Sequence, residues 1–377
     1  MSLDLNEGRY DRQELITWWQ QDVLKQSRVL VVGAGALGNE VIKNLVLLGV
    51  GEIVVIDLDF IATSNLARCV FFREGDEGGF KAEIVAARSS ELNPGTQVEY
   101  IVGNVTHQGV GWVGQFNLVI GCLDNREARL WVNQAARKMG VTWIDGAIEG
   151  IRGIVKVFPP TGACYECTLG EKDREILNLR RACSLLTADE VELGKTPTTA
   201  TSSSVVAGFQ VQEAIRLLHG QPSPIANAGW TFLGETFDTY IVSYTEDEWC
   251  QAHEIYEDVR DTTYLPEDSL ADVFRTAGIV FSADASISFE REILRVAKCL
   301  NCAWELTVNR AISDVAVGEA SCPNCSKVGQ LDIAITVGVD DSLLGVSLES
   351  LRIPNDDVVT VFDNGTSAHY LLRRANA

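Results

Sequence analysis

Residues 28–38 read RVLVVGAGALG, a β-branched apolar run that enters a glycine-rich turn. An amphipathic helix pattern follows through Leu48, and a second apolar run, 52–56, ends at Asp57-Leu58-Asp59. A strand, a helix and a strand in this order form a βαβ unit, in which the two strands lie parallel. This stretch therefore predicts the start of a doubly wound α/β sheet.

The alternation of strand and helix patterns continues beyond this unit. Apolar periodicity predicts helices at 81–92, 126–139 and 203–218, and strands at 97–102, 116–124 and 141–146. After Gly150 the pattern favours antiparallel strands, including 229–245, with a polar loop at about 168–200. We predict two domains, an α/β domain over 1–258 and a smaller domain over 266–377.

Composition and charge exclude several protein classes. The 377 residues are 46% hydrophobic and 22% charged, which is ordinary for a globular protein. A net charge of −21 disfavours nucleic acid as a partner. No apolar stretch is long enough to span a membrane, and the acidic start of the chain lacks the apolar core of a secretory signal. We therefore expect a cytoplasmic protein that binds neither membrane nor nucleic acid.

The glycine-rich turn predicts a nucleotide site. Gly33, Gly35 and Gly38 fit the G-x-G-x-x-G pattern between a strand and a helix, where backbone N–H groups approach phosphate closely. Asp57 lies about 20 residues further on, at the position of a ribose-binding carboxylate. Alone, this pattern indicates only an adenine nucleotide, and an NAD oxidoreductase is the default interpretation.

Further motifs occur in an order that resembles a known family. They are RYDRQ at 9–13, DLDFIATSNLAR at 57–68, GGFKAE at 78–83, CLDN at 122–125 and IDGAIEGIRG at 144–153, followed by CYEC. The chain from Arg9 to about His253 resembles the ubiquitin-activating E1 and ThiF-MoeB-HesA adenylyltransferases. It is most similar to the compact E1 proteins of bacterial ubiquitin-like conjugation operons, some of which act in antiphage defence. Cys69 departs from the family, which usually has Gln after the Arg.

The resemblance implies a doubly wound Rossmann-like domain that uses ATP and Mg²⁺ to adenylate a protein carboxylate. It implies phosphate contacts from Asn65, Arg68 and Lys81, and a Mg²⁺ ligand at Asp124. It also implies that Arg12 reaches into a partner subunit's site, so that the enzyme is a homodimer. The remaining residues implied to bind the cofactor are the three glycines, Asp57, Asp59 and Asn125.

The cysteine spacing predicts two structural zinc sites, because CxxC pairs hold metal with short loops. One set of ligands is Cys164, Cys167, Cys250 and His253, and the other is Cys299, Cys302, Cys322 and Cys325. A rival pairing joins Cys322 and Cys325 with Cys164 and Cys167. The local pairing is favoured because short loops have a smaller closure entropy. It gives the C-terminal domain a zinc ribbon, which we expect to dock an E2 or the carrier.

Cys183 lies in the polar stretch after the first CxxC pair, where E1 enzymes carry the cysteine that receives the activated carrier. Arg180 and Arg181 precede it and favour a thiolate. The resemblance therefore implies that a ubiquitin-like protein forms a thioester on Cys183 and passes to an E2. A role in sulfur chemistry and the absence of any chemical role both remain open for this residue.

Two other functions remain open for the whole chain. One is a sulfur-carrier adenylyltransferase of the MoeB or ThiF type, which forms the adenylate without a thioester. The other is a non-catalytic E1-like scaffold subunit.

Overall fold

The computed structural model describes residues 8–170, 197–316 and 318–375. These residues fall mainly into two compact units, one of 8–106, 113–168 and 197–255, and one of His107–Trp112 and 256–375. Within the described ranges, no helix is both long and apolar enough to cross a membrane.

The first unit contains an eight-stranded sheet in the order β3-β2-β1-β4-β5-β6-β7-β8. The strands from β1 to β5 are parallel, and the pairs from β5 to β8 are antiparallel. Their bounds are Arg28–Val32, Glu52–Asp57, Gln97–Val102, Leu118–Gly121, Trp143–Glu149, Arg152–Phe158, Ala228–Leu233 and Thr239–Ser243.

Helices pack against this sheet through apolar faces. The described helices of the first unit are α1 (Asp11–Glu14), α2 (Gln21–Lys25), α3 (Ala36–Leu48), α4 (Lys81–Leu92), α5 (Arg126–Lys138) and α6 (Ala200–Leu218). The core contains Val29 and Val31 of β1, Val41 and Leu45 of α3, and Val206 of α6, each with no exposed surface. Burial of such side chains stabilises a fold by about 1.5–3 kcal/mol each relative to exposure.

The parallel portion confirms the predicted Rossmann-like arrangement. The helix predicted at 81–92 and the strand at 97–102 have the predicted bounds. The strand predicted at 116–124 is shorter, Leu118–Gly121, because the chain turns after it and the Asn125 side chain caps α5. The polar loop predicted at 168–200 lies largely outside the described residues.

The second unit is built on an antiparallel sheet. Its strands are β9 (Arg260–Tyr264), β10 (Ser286–Lys298), β11 (Glu305–Ala311), β12 (Gln330–Gly338), β13 (Asp357–Asp363) and β14 (Thr366–Arg374). The order is β11-β10-β13-β14-β9, β12 also pairs with β10, and β9 runs parallel to β14. Two short helices, α7 (Leu270–Thr276) and α8 (Leu348–Leu351), cover its apolar core.

A buried carboxylate connects separate segments of this second unit. Asp357 is 2% exposed and accepts hydrogen bonds from Arg291 Nε at 3.0 Å and from the Val110 backbone N–H at 3.1 Å. The Arg291 guanidinium also donates to the Gln108 carbonyl at 3.1 Å. This network holds His107–Trp112, which lies between β3 and β4 in the sequence, within the second unit.

We expect Asp357→Ala to destabilise the second unit by about 3–5 kcal/mol, because it leaves the Arg291 guanidinium, whose side chain is 10% exposed, without its carboxylate partner. Asp261→Ala is the matched control, since Asp261 and Arg373 form an exposed pair at 3.6 Å. Its expected cost is about 0–1 kcal/mol. Chemical denaturation of the full chain measures both, and equal effects would contradict the structural role of Asp357.

Candidate active site and metal centres

The glycine-rich loop joins β1 to α3, and two of its glycines are required by the protein's own packing. Gly33 has φ +100°, and a Cβ there would lie 2.5 Å from the Cys122 carbonyl oxygen. A Cβ on Gly38 would lie 2.0 Å from the Gly33 carbonyl oxygen. At Gly35, by contrast, no described atom lies within 4 Å of the Cβ position. Gly35 therefore leaves open space at the start of α3, where backbone N–H groups attract phosphate.

Asp57 fixes this loop from the end of β2. One carboxylate oxygen accepts a hydrogen bond from Ala34 N at 2.6 Å, and the other accepts one from Asp59 N at 2.7 Å. Burial raises the pKa of Asp57, and the nearby charge of Lys81 partly opposes the rise. These bonds leave carboxylate lone pairs that can accept from a ribose hydroxyl.

Lys81 begins α4, and its ammonium group lies 2.6 Å from Asp59 Oδ2. The lysine side chain is 11% exposed, whereas the Asp59 side chain is 51% exposed. The structure thus holds a cation in place beside the loop of Gly33–Gly38. This pair fits a site that stabilises negative charge on phosphate.

The predicted residues Asn65 and Arg68 lie on the turn that follows β2. The Asn65 side-chain oxygen accepts from Ala62 N at 2.9 Å, and Arg68 Nη1 donates to the Ser64 carbonyl at 3.0 Å. Cys69, which departs from the family pattern, is buried among these charges. Burial raises its pKa to about 11, against the opposing effect of Arg68 and Lys81. Cys69 packs in the hydrophobic core of the first unit.

Asp124 follows β4 and is exposed, whereas its neighbour Asn125 accepts a hydrogen bond from Ala128 N at 2.8 Å as the cap of α5. An exposed carboxylate beyond a strand end is a donor of the kind that Mg²⁺ prefers. Arg12 lies exposed on α1.

Sequence reasoning missed two buried polar groups that hold these loops. Asn39 donates to the carbonyls of Ala34 and Gly35 at 2.7 and 3.0 Å, and its oxygen accepts from Phe71 N at 3.0 Å. The signal was an asparagine one turn into an otherwise apolar helix face. It fixes both the glycine loop and the segment after Arg68.

The second missed group is an ion pair between α5 and β5. Arg129 Nε lies 2.9 Å from Asp145 Oδ1, and these side chains are 11% and 1% exposed. Arg129 Nη2 also donates to the Leu123 carbonyl at 2.5 Å, directly before Asp124. The pair therefore fixes the backbone that carries the predicted Mg²⁺ ligand.

The first cysteine cluster forms as the local pairing predicts. The ligand atoms of Cys164, Cys167, Cys250 and His253 all lie within 4.8 Å of one another. Cys164 Sγ lies 3.8 Å from Cys167 Sγ and 3.7 Å from Cys250 Sγ. Tetrahedral Zn²⁺ with Zn–S bonds of about 2.3 Å requires S–S separations of about 3.8 Å. The donor set and spacing therefore fit zinc.

Groups around this cluster hold the ligands in position. Glu246 Oε1 lies 3.1 Å from His253 Nδ1, which leaves Nε2 facing Cys167 Sγ at 3.1 Å. Burial lowers the pKa of His253 and so favours the neutral imidazole, which is the form that binds metal. A carboxylate behind a ligating histidine is the usual support of such a site.

The second cluster lies in the second unit. Cys299, Cys302, Cys322 and Cys325 have their sulfurs within 4.8 Å of one another, and Cys299 and Cys325 lie 3.6 Å apart. The rival pairing, which joined Cys322 and Cys325 with Cys164 and Cys167, is wrong. Each cluster instead combines two pairs of ligands from the same unit. The cluster contains four thiols at spacings that fit zinc.

The predicted acceptor Cys183 lies outside the described residues.

The family profile that matches residues 10–251 is that of the ThiF family. This chain belongs to the ThiF family. The match covers the whole glycine loop, the Lys81–Asp59 pair and three of the four ligands of the first cysteine cluster.

Several relatives of this ThiF-family chain are named activating enzymes or adenylyltransferases. The NEDD8-activating enzyme E1 catalytic subunit of Schizosaccharomyces pombe is 37% identical over 149 residues, which are 38% of this chain and 34% of the relative. The SAMP-activating enzyme E1 of Haloferax volcanii is 39% identical over 152 residues, 40% of this chain and 56% of the relative. The sulfur carrier protein ThiS adenylyltransferase of Bacillus subtilis is 33% identical over 224 residues, 57% of this chain and 62% of the relative.

These matches span between 34% and 62% of the length of the three curated relatives. Among solved structures, E. coli MccB with ATP superposes with a TM-score of 0.55 at 22% identity, over 66% of this chain and 75% of that chain. That likeness shows a shared fold.

We expect the purified protein to contain two zinc ions per chain, one in each cysteine cluster. Cys250→Ser should remove one ion and Cys322→Ser the other, because each change removes one of four ligands. Elemental analysis of the three proteins measures the content. The clusters are independent if each variant retains one ion, and loss of both ions in either variant would contradict this.

Proposed function

We propose that this chain is an E1-like activating enzyme that uses MgATP to adenylate the C-terminus of a ubiquitin-like protein. The observation that carries the proposal is the pairing of an open Gly35 with the fixed Lys81 cation, in a ThiF-family chain whose relatives include named E1 enzymes. Open space at a helix N-terminus beside a held cation suits a triphosphate.

The adenylation step transfers charge onto the leaving group. A carboxylate oxygen of the carrier's C-terminus attacks the α-phosphorus of ATP, and the bond to the β-phosphate bridging oxygen breaks, which releases pyrophosphate. Arg68 and Lys81 stabilise the negative charge that develops on the phosphates, and Asn65 orients them. Asp57 accepts from the ribose hydroxyls. Bound Mg²⁺ supplies further neutralisation of phosphate charge, and Asp124 would hold it, with Asp59 nearby.

The thioester step rests on the resemblance of the sequence around Cys183. The thiolate attacks the acyl-adenylate carbonyl, the bond to AMP breaks, and the carrier is held as a thioester that an E2 cysteine then receives. Arg12 would complete the site of a second subunit in a homodimer. Zinc ions at the two cysteine clusters would have structural roles, and the second unit would dock the E2 or the carrier.

A sulfur-carrier adenylyltransferase is the second candidate function. It is favoured by the relative from Bacillus subtilis, whose match covers 57% of this chain. This function shares the adenylation step and ends there. A non-catalytic scaffold is disfavoured because the Lys81–Asp59 pair and the open glycine position are both retained.

We expect Gly35→Ala to slow carrier-dependent ATP–pyrophosphate exchange at least tenfold, because its methyl group occupies the space for phosphate. The stability of the free protein should change little, since no described atom lies within 4 Å of that Cβ position. Gly208→Ala on α6 is the matched control, because its Cβ position is equally open. Exchange unaffected by Gly35→Ala would contradict the nucleotide site.

The experiment that tests the proposed function compares wild type with Cys183→Ala on a non-reducing gel after incubation with ATP, Mg²⁺ and the candidate carrier. We expect a DTT-sensitive adduct that is absent from the variant. Retained exchange activity in both proteins without any adduct would favour the sulfur-carrier adenylyltransferase. The absence of both exchange and adduct would favour the scaffold.

A further inference from the structure

A pocket of about 210 Å³ lies on the second unit. None of the residues that line it belongs to the 299–325 segment, which carries the second cysteine cluster. It forms where the carboxyl ends of two parallel strands meet, since Tyr264 of β9 and Arg374 of β14 are register partners. The residues that line it are Tyr264, Pro266, Glu349, Arg352, Ile353 and Arg374.

Two guanidinium groups of this pocket have no ion-pair partner within 4.0 Å in the ranges that the structure describes. They belong to Arg352 and Arg374, whereas the adjacent Arg373 contacts Asp261 and Asp356. The lining therefore carries two positive charges and one negative charge, that of Glu349, in a chain whose net charge is −21. Arg352 ends α8 with φ +54°, in the left-handed conformation that commonly terminates helices.

Tyr264 adds a hydrogen-bond donor to the two cations. Its side chain is largely buried, with the residue 5% exposed, and no described group hydrogen-bonds its hydroxyl. Burial raises the pKa of Tyr264, with Arg374 opposing the rise, so the phenol keeps its proton at neutral pH. The hydroxyl faces the pocket without a hydrogen-bond partner among the described residues, so it can donate to a ligand there.

We propose that this pocket binds the free C-terminal carboxylate of a peptide. The planar guanidinium of arginine matches a carboxylate in two-point geometry, and the Tyr264 hydroxyl donates a further hydrogen bond. Glu349 disfavours a dianion such as phosphate and can accept from the peptide's last amide N–H. A volume of about 210 Å³ admits a carboxylate with one or two small residues. The inference does not depend on the proposed ATP chemistry.

The test is an NMR titration of the arginine Nε–Hε resonances of the full-length protein with triglycine, as the free acid and as the C-terminal amide. We expect the Arg352 and Arg374 resonances to shift with the acid and not with the amide. Arg352→Gln combined with Arg374→Gln should weaken binding at least tenfold. Tyr264→Phe, which keeps the buried ring, should weaken it about threefold to tenfold, as expected for one hydrogen bond.

Arg275→Gln is the charge-matched control, since Arg275 is an exposed residue of the same unit, paired with Asp272. It should leave triglycine binding unchanged. Equal binding of the amide, or an equal loss in the control, would overturn the proposal. So would tighter binding of inorganic phosphate, or no shift with triglycine up to about 10 mM.

Discussion

The two hydrogen bonds accepted by Asp57 connect the end of β2 to the glycine loop that follows β1. Through Ala34 N the carboxylate fixes the turn, and through Asp59 N it fixes the backbone of the residue that holds Lys81. Without the carboxylate, the Ala34 and Asp59 N–H groups would lose their hydrogen-bond acceptor, and the loop would no longer be bonded to the end of β2. The site's cation and its open glycine position therefore depend on one side chain.

This arrangement separates what the fold needs from what a ligand needs. Contacts within the chain leave no room for a Cβ atom at Gly33 or Gly38, whereas a Cβ atom at Gly35 would lie in open space. A sequence pattern gives these three glycines equal weight. The structure distinguishes them, and the free position is the one that faces the start of α3. Close contacts within the chain thus explain why glycine is needed at Gly33 and Gly38. At Gly35 the physical reason is the close approach of a ligand to the backbone.

The sequence predicted what depends on local periodicity and short spacing. The bounds of α4 follow from its apolar repeat, and the second cysteine cluster follows from a separation of only 19 residues between Cys302 and Cys322. In the first cluster 82 residues separate Cys167 from Cys250, so the folding of the first unit brings these ligands together. It did not predict Asn39, Arg129 or Asp145, because their partners are set by tertiary packing. The carboxylate of Asp145 and the guanidinium of Arg129 meet only after α5 lies against β5. Likewise, nothing in residues 107–112 indicates that Val110 N donates to Asp357.

Helix α5 links the loop of Asp124 to the first cysteine cluster. At its start, Asn125 caps the helix and Arg129 holds the Leu123 carbonyl. Near its end, Asn133 Oδ1 accepts from Tyr165 N at 2.9 Å, beside Cys164, and Arg137 donates to the Gly162 carbonyl at 2.8 Å. Because α5 is a rigid element, a displacement of the first cysteine cluster would also displace the backbone before Asp124. A structural metal in that cluster would therefore stabilise the candidate active site by holding α5 in place, without contacting any substrate.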